Sequence, residues 1–495
     1  MHFISGAARD QILLLPESVD EYVDENNPVR IIEEYIESLD LEALNFNSPH
    51  PKETGRPAYN PKDLLKLYLY GYINKIRSSR RLEAESKRNL DVIWLLRKLS
   101  PDHKTIARFR SNNSKALKNV FKDFVKLCTK FELYGKELVA QDGSKFKAVN
   151  SKKHNFTKKK LEERLIRIES KIEEYLNELD RVDKEEDKVE KTKSREEIAH
   201  IIKQLKERQE RYQSYKEELE VTGETQKSLT DPESRLMPMN GKMDVGYNVQ
   251  VAVDAKYKMI AEFEVTNNPN DLNQMTPLMK NVKEVLEVEE ITAVTDAGYN
   301  SVRDIVNTLK SGVDVHVAGT DFDVCIEAED GVGSEITKQE SGRCLYLPDR
   351  NIVLCSMGKI LYPHHYKKTE SYGSFFNTKA CKECTCKCTK ESRGYRYMVS
   401  MTESDFSKDY NDKDLFIKQI RVKANKELVK LRKSIVEHPF GTVKRGMDAG
   451  YCLTKGKWKV RGEFSLVFLA YNFKRAINIL GFKELMENIK LYAYC

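Results

Sequence analysis

Apolar positions along this chain follow three rhythms, and each predicts a different kind of element. Between residues 60 and 135 the period is helical. Asn60 can cap and Pro61 fits a first helical position, with Leu64, Leu65, Tyr68 and Leu69 as the apolar face. A second start stands at Ser100-Pro101, followed by Ile106 and Phe109. A third helix, near 114–131, places Leu117, Val120, Phe121, Phe124, Val125 and Cys128 on one stripe. Residues 1–45 read as helical and acidic.

From 157 to 222 the spacing alternates between four and three, through Leu161, Leu165, Ile168, Ile172, Tyr175, Leu179 and Val182. That is a coiled-coil seam. It fades across 183–194 and a second seam follows through Ile198, Ile202, Leu205, Tyr212 and Leu219. A helical hairpin folded back on itself is the simplest structure; an intermolecular coiled coil is the alternative. Almost every other position there is Lys, Glu, Arg or Gln, which marks an insertion and not a core element.

On both sides of that insertion the period is two. Residues 136–142 read as a short strand ending in Asp142, with Gly143 breaking it. Tyr247, Val249, Val251 and Val253 alternate with Asn248, Gln250, Ala252 and Asp254, and a turn at 254–258 leads to Ile260, Glu262, Glu264 and Val265. Asp271 and Gln274 resemble a capping box for a helix to about Leu286. Then come a strand at 291–296, a helix at 301–309 and a strand at 313–317. Residues 320–400 read as irregular and cysteine-bearing, and helices resume at about 414–436 and 464–480. Without the insertion, the order is three strands, helix, strand, helix, strand. This is the order of an α/β, ribonuclease-H-like core.

Charge and cysteine placement refine the divisions. The 495 residues are too many for one core. Lys and Arg number 84 against 77 Asp and Glu, formally +7, but the charges are segregated. Residues 1–50 hold 2 Arg and 11 acids, whereas 51–140 hold 21 basic and 9 acidic residues. A basic block of that size suits a polyanion such as DNA, read by short helices of helix-turn-helix type. No apolar run approaches the ~20 residues of a membrane span, and the N-terminus lacks the basic and apolar regions of a secretory signal. The expectation is a cytoplasmic, nucleoid-associated protein with no membrane partner. The expected divisions are an acidic helical segment (1–50), a basic helical DNA-binding domain (51–135), and the first part of the core (136–156 with 225–320). A coiled-coil hairpin (157–224), a Cys-rich insertion (321–412) and a C-terminal helical part of the core (413–495) complete them.

Three carboxylates stand at related points of this order. Asp142 ends the first strand, Asp296 ends the fourth, and Glu437 lies on the helix after the fifth. In such a core the first and fourth strands are neighbours and the following helix crosses them. Acids there would converge although far apart in sequence. Converged carboxylates repel unless cations neutralise them, and hard divalent ions do so while leaving room for phosphate and water. Two such ions about 4 Å apart can stabilise both oxygens of an in-line phosphoryl displacement. Each acid also has a plainer reading, as a turn residue or a solvated charge, and Asp254 and Asp271 are rival carboxylates that fit as turn and cap residues. Lys433, Glu437 and Lys444 approach one helical face, with Arg432 able to serve in place of Lys433. Pro439 is expected to kink or interrupt that helix.

Taken in order, several short motifs resemble the DDE transposases of bacterial insertion sequences, in the branch with an N-terminal helical domain and a Tyr-Arg-Glu-Lys signature. They are Gly55-Arg56-Pro57-Ala58-Tyr59, Ser100 to Thr105 with Phe109-Arg110, Gln141 to Lys145, Gly246 to Gln250, and Asn270-Asp271. Asp296-Ala297-Gly298-Tyr299, Val436 to Lys444, and Ala470-Tyr471-Asn472 follow. The resemblance implies that Asp142, Asp296 and Glu437 bind two Mg²⁺ (or Mn²⁺) ions. It also implies cleavage at the element's terminal inverted repeats, attack of the freed 3′-hydroxyl on target DNA, and a homodimer on DNA. Lys444 matches the signature lysine. Val429 stands where its tyrosine belongs, and its arginine is Lys433 by strict spacing, with Arg432 adjacent. Basic residues expected to meet DNA are Arg56, Arg80, Arg81, Lys104, Arg108 and Arg110, besides Arg432, Lys433 and Lys444. Cys355, Cys381, Cys384 and Cys388 resemble a Zn²⁺ module of this branch, with Cys386 competing as fourth ligand. Two other readings share these features: an inactive DNA-binding regulator derived from a transposase, and a nuclease that cuts without joining.

Overall fold

The first two helices begin as their sequences require. Asn27 and Asn60 each accept a bond from the backbone N–H two residues on, and each precedes a proline, opening α1 (Pro28–Ser38) and α2 (Pro61–Ile73). α3 (Ser79–Arg88), α4 (Leu90–Leu95), α5 (His103–Asn112) and α6 (Ser114–Lys130) follow. Asp102 caps α5, taking the N–H groups of Lys104 and Thr105. The chain is seen here as a computed structural model describing residues 18–47, 58–184, 195–239, 241–327, 337–339, 345–347, 350–355, 359–384, 397–410 and 417–493. Part of the acidic N-terminal segment, with Arg56, Cys386 and Cys388, lies outside the described residues.

The segregated charges partly cancel inside this helical region. Lys66 is fully buried and donates to Glu33 at 2.9 Å and Glu37 at 2.5 Å. Lys62 pairs with the same Glu37 at 3.4 Å. The acidic segment therefore neutralises some of the basic block, which reduces the charge left for an outside partner.

β1 (Leu138–Lys147) leads to the insertion. There β2 (Asn155–Thr157), α7 (Lys158–Lys184), α8 (Arg195–Thr222) and β3 (Gln226–Ser228) form a helical hairpin closed by pairing of β2 with β3. Its small apolar cluster, Phe156, Leu161 and Leu219 with Tyr212 and Tyr215, is separate from the main core. β4 (Arg235–Met239), β5 (Lys242–Asp254), β6 (Ile260–Thr266), α9 (Met275–Leu286), β7 (Ile291–Thr295), α10 (Val302–Lys310) and β8 (Val313–Val317) complete a mixed sheet. Its strands run β5, β1, β7, β8, with β4 and β6 both paired to β5. β1 is antiparallel to β5 and parallel to β7, which is parallel to β8.

Two local expectations are corrected here. Gly143 does not end β1; the strand continues to Lys147 because its pairing with β5 continues after its pairing with β7 has stopped. Asp271 and Gln274 do not cap α9. Asp304 of α10 does, accepting from Met275 N at 2.9 Å and Thr276 N at 3.0 Å.

The stretch read as irregular also contains sheets. β9 (Asp321–Glu327), β10 (Thr337–Gln339), β11 (Leu345–Leu347), β12 (Ile352–Leu354), β13 (Ile360–Lys367), β14 (Tyr372–Phe376), α11 (Thr378–Lys382), β15 (Tyr397–Ser400), α12 (Glu403–Phe406) and β16 (Ile417–Lys423) follow in chain order. β11 to β15 form one antiparallel meander, and β9 is flanked by β10 and β16. Among the described residues the meander's small core is Val353, Cys355, Leu361, Phe375 and Met401, edged by Tyr346, Tyr366, Tyr397, Val399 and Phe406, and most of its strands are too short to show a sustained period of two. The helix expected from about 414 starts later, after β16, as α13 (Lys426–Gly441).

α14 (Lys457–Ala493) runs back through the molecule, with a break at Gly481 where φ is 79°. Tyr35 of α1, Phe124 of α6 and Phe473 of α14 pack as one ring cluster. The last resembling motif is structural. Tyr471 donates to Lys258 O at 2.8 Å, and the Asn472 amide bonds both N and O of Ile260. Among the described residues no helix is long and apolar enough to cross a membrane.

Candidate active site

Strand register brings two of the three acids together. The parallel pairing of β1 with β7 ends at Ala140 opposite Val294. Two residues further along each strand, on the same face, stand Asp142 and Asp296. Asp296 lies just past β7, where its carboxylate accepts from Gly298 N at 2.9 Å and starts a short 3₁₀ turn.

Asp142 is half-buried and its Oδ2 lies 3.1 Å from Arg432 Nη1. Burial pushes its carboxyl up to about 6; Arg432 opposes that, and the charges of Asp296 and Asp271 add to it. Asp142 therefore lies within the field of both other acids.

Glu437 is placed differently. α13 packs across β1 and β7 through Ile435, Val436 and Pro439. Arg432 shares that stripe, three, four and seven residues before them. Glu437 falls outside it, with 65% of its side chain exposed and Lys433 Nζ at 3.7 Å. The structure joins Asp142 to Asp296 and leaves Glu437 on the open side of the helix above them. Among the described residues no three His, Cys, Asp or Glu side chains already form a metal-binding group.

Pro439 does not break α13, contrary to expectation; helix continues to Gly441. The relief comes one turn later, as a π-turn over Thr442–Gly446, which absorbs an extra residue. The π-turn carries Lys444 to β1, where Nζ donates to Ser144 Oγ at 2.6 Å and Lys145 O at 3.2 Å and sits 4.7 Å from the Phe146 ring centre. Burial and Lys145 lower the Lys444 ammonium, while the Asp142 charge raises it. Lys444 and Arg432 thus flank Asp142. Lys433, the arginine position by strict spacing, turns instead to Glu437.

The other sites divide by exposure. Arg80, Arg81, Lys104 and Arg108 are exposed on α3 and α5. Arg110 is not: it is 6% exposed, donates to the Tyr72 hydroxyl at 2.9 Å and lies over the Tyr68 ring. Its assignment to DNA is corrected to an internal role, since its apolar stripe faces the core. Cys355 follows β12 and accepts from Lys359 N at 3.3 Å, while Cys381 and Cys384 lie in and after α11. The register of β13 with β14 puts both at one end of the meander.

Two family models match this chain. One, described as "Transposase domain (DUF772)", matches residues 17–112. The other, "Transposase DDE domain", matches residues 354–477 and so includes Glu437 and Lys444. No curated protein matches in sequence. A solved structure of a piggyBac transposase synaptic complex with hairpin DNA aligns over 95% of this chain and 80% of that one. It does so at 10% identity and a TM-score of 0.31, too loose a likeness to carry an argument.

Proposed function

We propose, for a chain that both family matches mark as a DNA transposase and the C-terminal one as a DDE transposase, that Asp142, Asp296 and Glu437 are the carboxylates that cut and join DNA at the ends of an insertion sequence. The observation that carries this reading is the register of β1 against β7, which sets Asp142 beside Asp296. The order β6, β5, β1, β7, β8, with β1 antiparallel to β5 and parallel to β7, supports a ribonuclease-H-like core.

The donor set fits a hard divalent ion. Asp142 is a carboxyl raised chiefly by burial, with Arg432 opposing and the charges of Asp296 and Asp271 adding, so a divalent ion there would supply the positive charge that a buried carboxylate needs. Asp142 and Asp296 would hold Mg²⁺ or Mn²⁺, and Glu437 would join from α13 by exchanging Lys433. When bound, such ions activate water and stabilise charge on the scissile phosphate. The chain's own part is positioning. Lys444, anchored on Ser144, and Arg432, once displaced from Asp142, offer cations to the phosphates flanking the cut. Exposed Arg80, Arg81, Lys104 and Arg108 form the approach surface for element DNA. Two ends joined in one event call for two active sites, hence a homodimer on DNA.

The test is strand cleavage and joining on DNA carrying the element's own ends. Asp142→Asn, Asp296→Asn and Glu437→Gln should each abolish Mg²⁺-dependent cutting while DNA binding survives. Full activity in Asp296→Asn would exclude that residue, and cutting without joined products by the unaltered protein would favour a nuclease.

A further inference from the structure

Two of the resembling motifs, Gly246 to Gln250 and Asn270-Asp271, hold no acid of the triad, and the fold brings them to one point. Asp271 precedes α9 without capping it. Its Oδ1 accepts from Asn248 Nδ2 at 2.7 Å and Gln250 Nε2 at 2.6 Å. Gln250 is fixed in turn, because its Oε1 accepts from the buried Tyr299 hydroxyl and from Gln141 Nε2 at 3.3 Å. Asn248, Gln250 and Tyr299 are almost fully buried, so this chain of bonds holds Asp271 rigidly.

The two glycines beside the acids make room for it. A Cβ on Gly143 would stand 2.3 Å from both Asp271 Oδ1 and Gln250 Nε2. A Cβ on Gly298 would stand 3.0 Å from Asp296 Oδ1 and 3.6 Å from Asp271 Oδ2. Asp271 is therefore inserted between the residue after Asp142 and the turn after Asp296. Oδ2 makes no bond to either amide and faces the Asp296 side; Lys145 Nζ donates to both oxygens, at 3.3 Å from Oδ1 and 3.2 Å from Oδ2. The wall of the same pocket holds Asn248 Oδ1, a buried oxygen with no hydrogen-bond partner, 3.0 Å from that same Gly143 position. An oxygen so placed is costly unless a cation or water meets it.

We propose that Asp271 is a fourth functional carboxylate of this site, held by Asn248, Gln250 and Tyr299 so that its Oδ2 binds a divalent ion together with Asp142 and Asp296. The proposal rests on the transposase site assigned above. Lys145 then plays for Asp271 the part that Arg432 plays for Asp142: each is the counter-ion that a metal displaces.

The experiment is Mn²⁺ titration of the full chain without DNA, followed by the electron paramagnetic resonance of free Mn²⁺. Asp271→Asn should weaken binding by about tenfold or more, in the range of Asp142→Asn and Asp296→Asn. Binding by Asp271→Asn equal to the unaltered chain, with binding lost in the other two, overturns this inference and leaves the active-site assignment standing. Binding unchanged in all three removes the assignment itself. Lys145→Met is a second probe that leaves every carboxylate in place: Mn²⁺ affinity should rise by about threefold as the competing cation is removed. Unchanged or weaker binding there overturns the role given to Oδ2.

Discussion

Asp142 shows how a single side chain records its surroundings. A free aspartate titrates near 3.9, whereas burial and neighbouring charges put Asp142 up to about 6. Between those values the folded chain keeps a proton that the unfolded chain has lost. The resulting stability is complete below about pH 4 and disappears as pH rises through about 6, worth up to about 3 kcal/mol in the metal-free protein. Asp142→Asn should flatten that part of the pH response, measured by chemical denaturation at pH 4 and pH 8; the same pH response in variant and parent would refute the assignment. The motifs supplied the residue types of the proposed site and the expectation that Asp142, Asp296 and Glu437 converge; the register of β1 and β7 accords with that for the two aspartates, while Glu437 is exposed. From sequence, Asp271 is a rival carboxylate set aside as a cap, because an Asp before a helix looks like one, and only the bonds from Asn248 and Gln250 show otherwise.

Elements were legible where their own residues supply the cause. α2, α6, β5, β6, β8 and the two hairpin helices came from local periodicity and caps. The meander β11–β15 did not, since its strands are short and held by distant pairings such as Tyr372 with Ser400. The cap of α9 illustrates the same limit: it comes from Asp304, on the following helix, which also accepts from the Thr276 hydroxyl. Asp304→Ala should cost about 1–2 kcal/mol, and a loss below about 0.3 kcal/mol in urea unfolding would show the cap to be idle. The hairpin makes an opposite prediction. Its apolar cluster is separate, and β2 and β3 already bring its ends together. Replacing residues 158–222 with a short Gly-Ser loop should leave Mn²⁺ binding and the main thermal transition within about 2–4 °C of the parent, the shift worth about 1 kcal/mol in a large domain. Loss of cooperative unfolding would show that the insertion supports the core.

Across the whole molecule, charge serves two purposes that composition cannot separate. Arg77 of the basic block is buried, with Glu463 of α14 at 2.6 Å and the backbone oxygen of Tyr451 also at 2.6 Å. Arg77→Met should cost about 3–5 kcal/mol, because it strands a buried carboxylate; a variant as stable as the parent would deny the pair that role. The exposed Arg80, Arg81, Lys104 and Arg108 should behave otherwise. Alanine at each should leave stability nearly unchanged and lower the slope of log affinity for DNA against log salt by about 1. Arg110→Ala should reduce stability and leave that slope unaltered, and the reverse pattern would mean that DNA, not Tyr72, is its partner. The sequence by itself determined which residues carry charge, which strongly periodic stretches are helix or strand, and which acids have the chemistry to hold a cation, because these follow from side-chain type and short-range spacing. Only the tertiary structure decided which cations are internal, that Asp271 stands with Asp142 and Asp296, and that Glu437 remains on the open face of α13. Those outcomes depend on strand register and on contacts between segments tens to hundreds of residues apart, which no local pattern encodes.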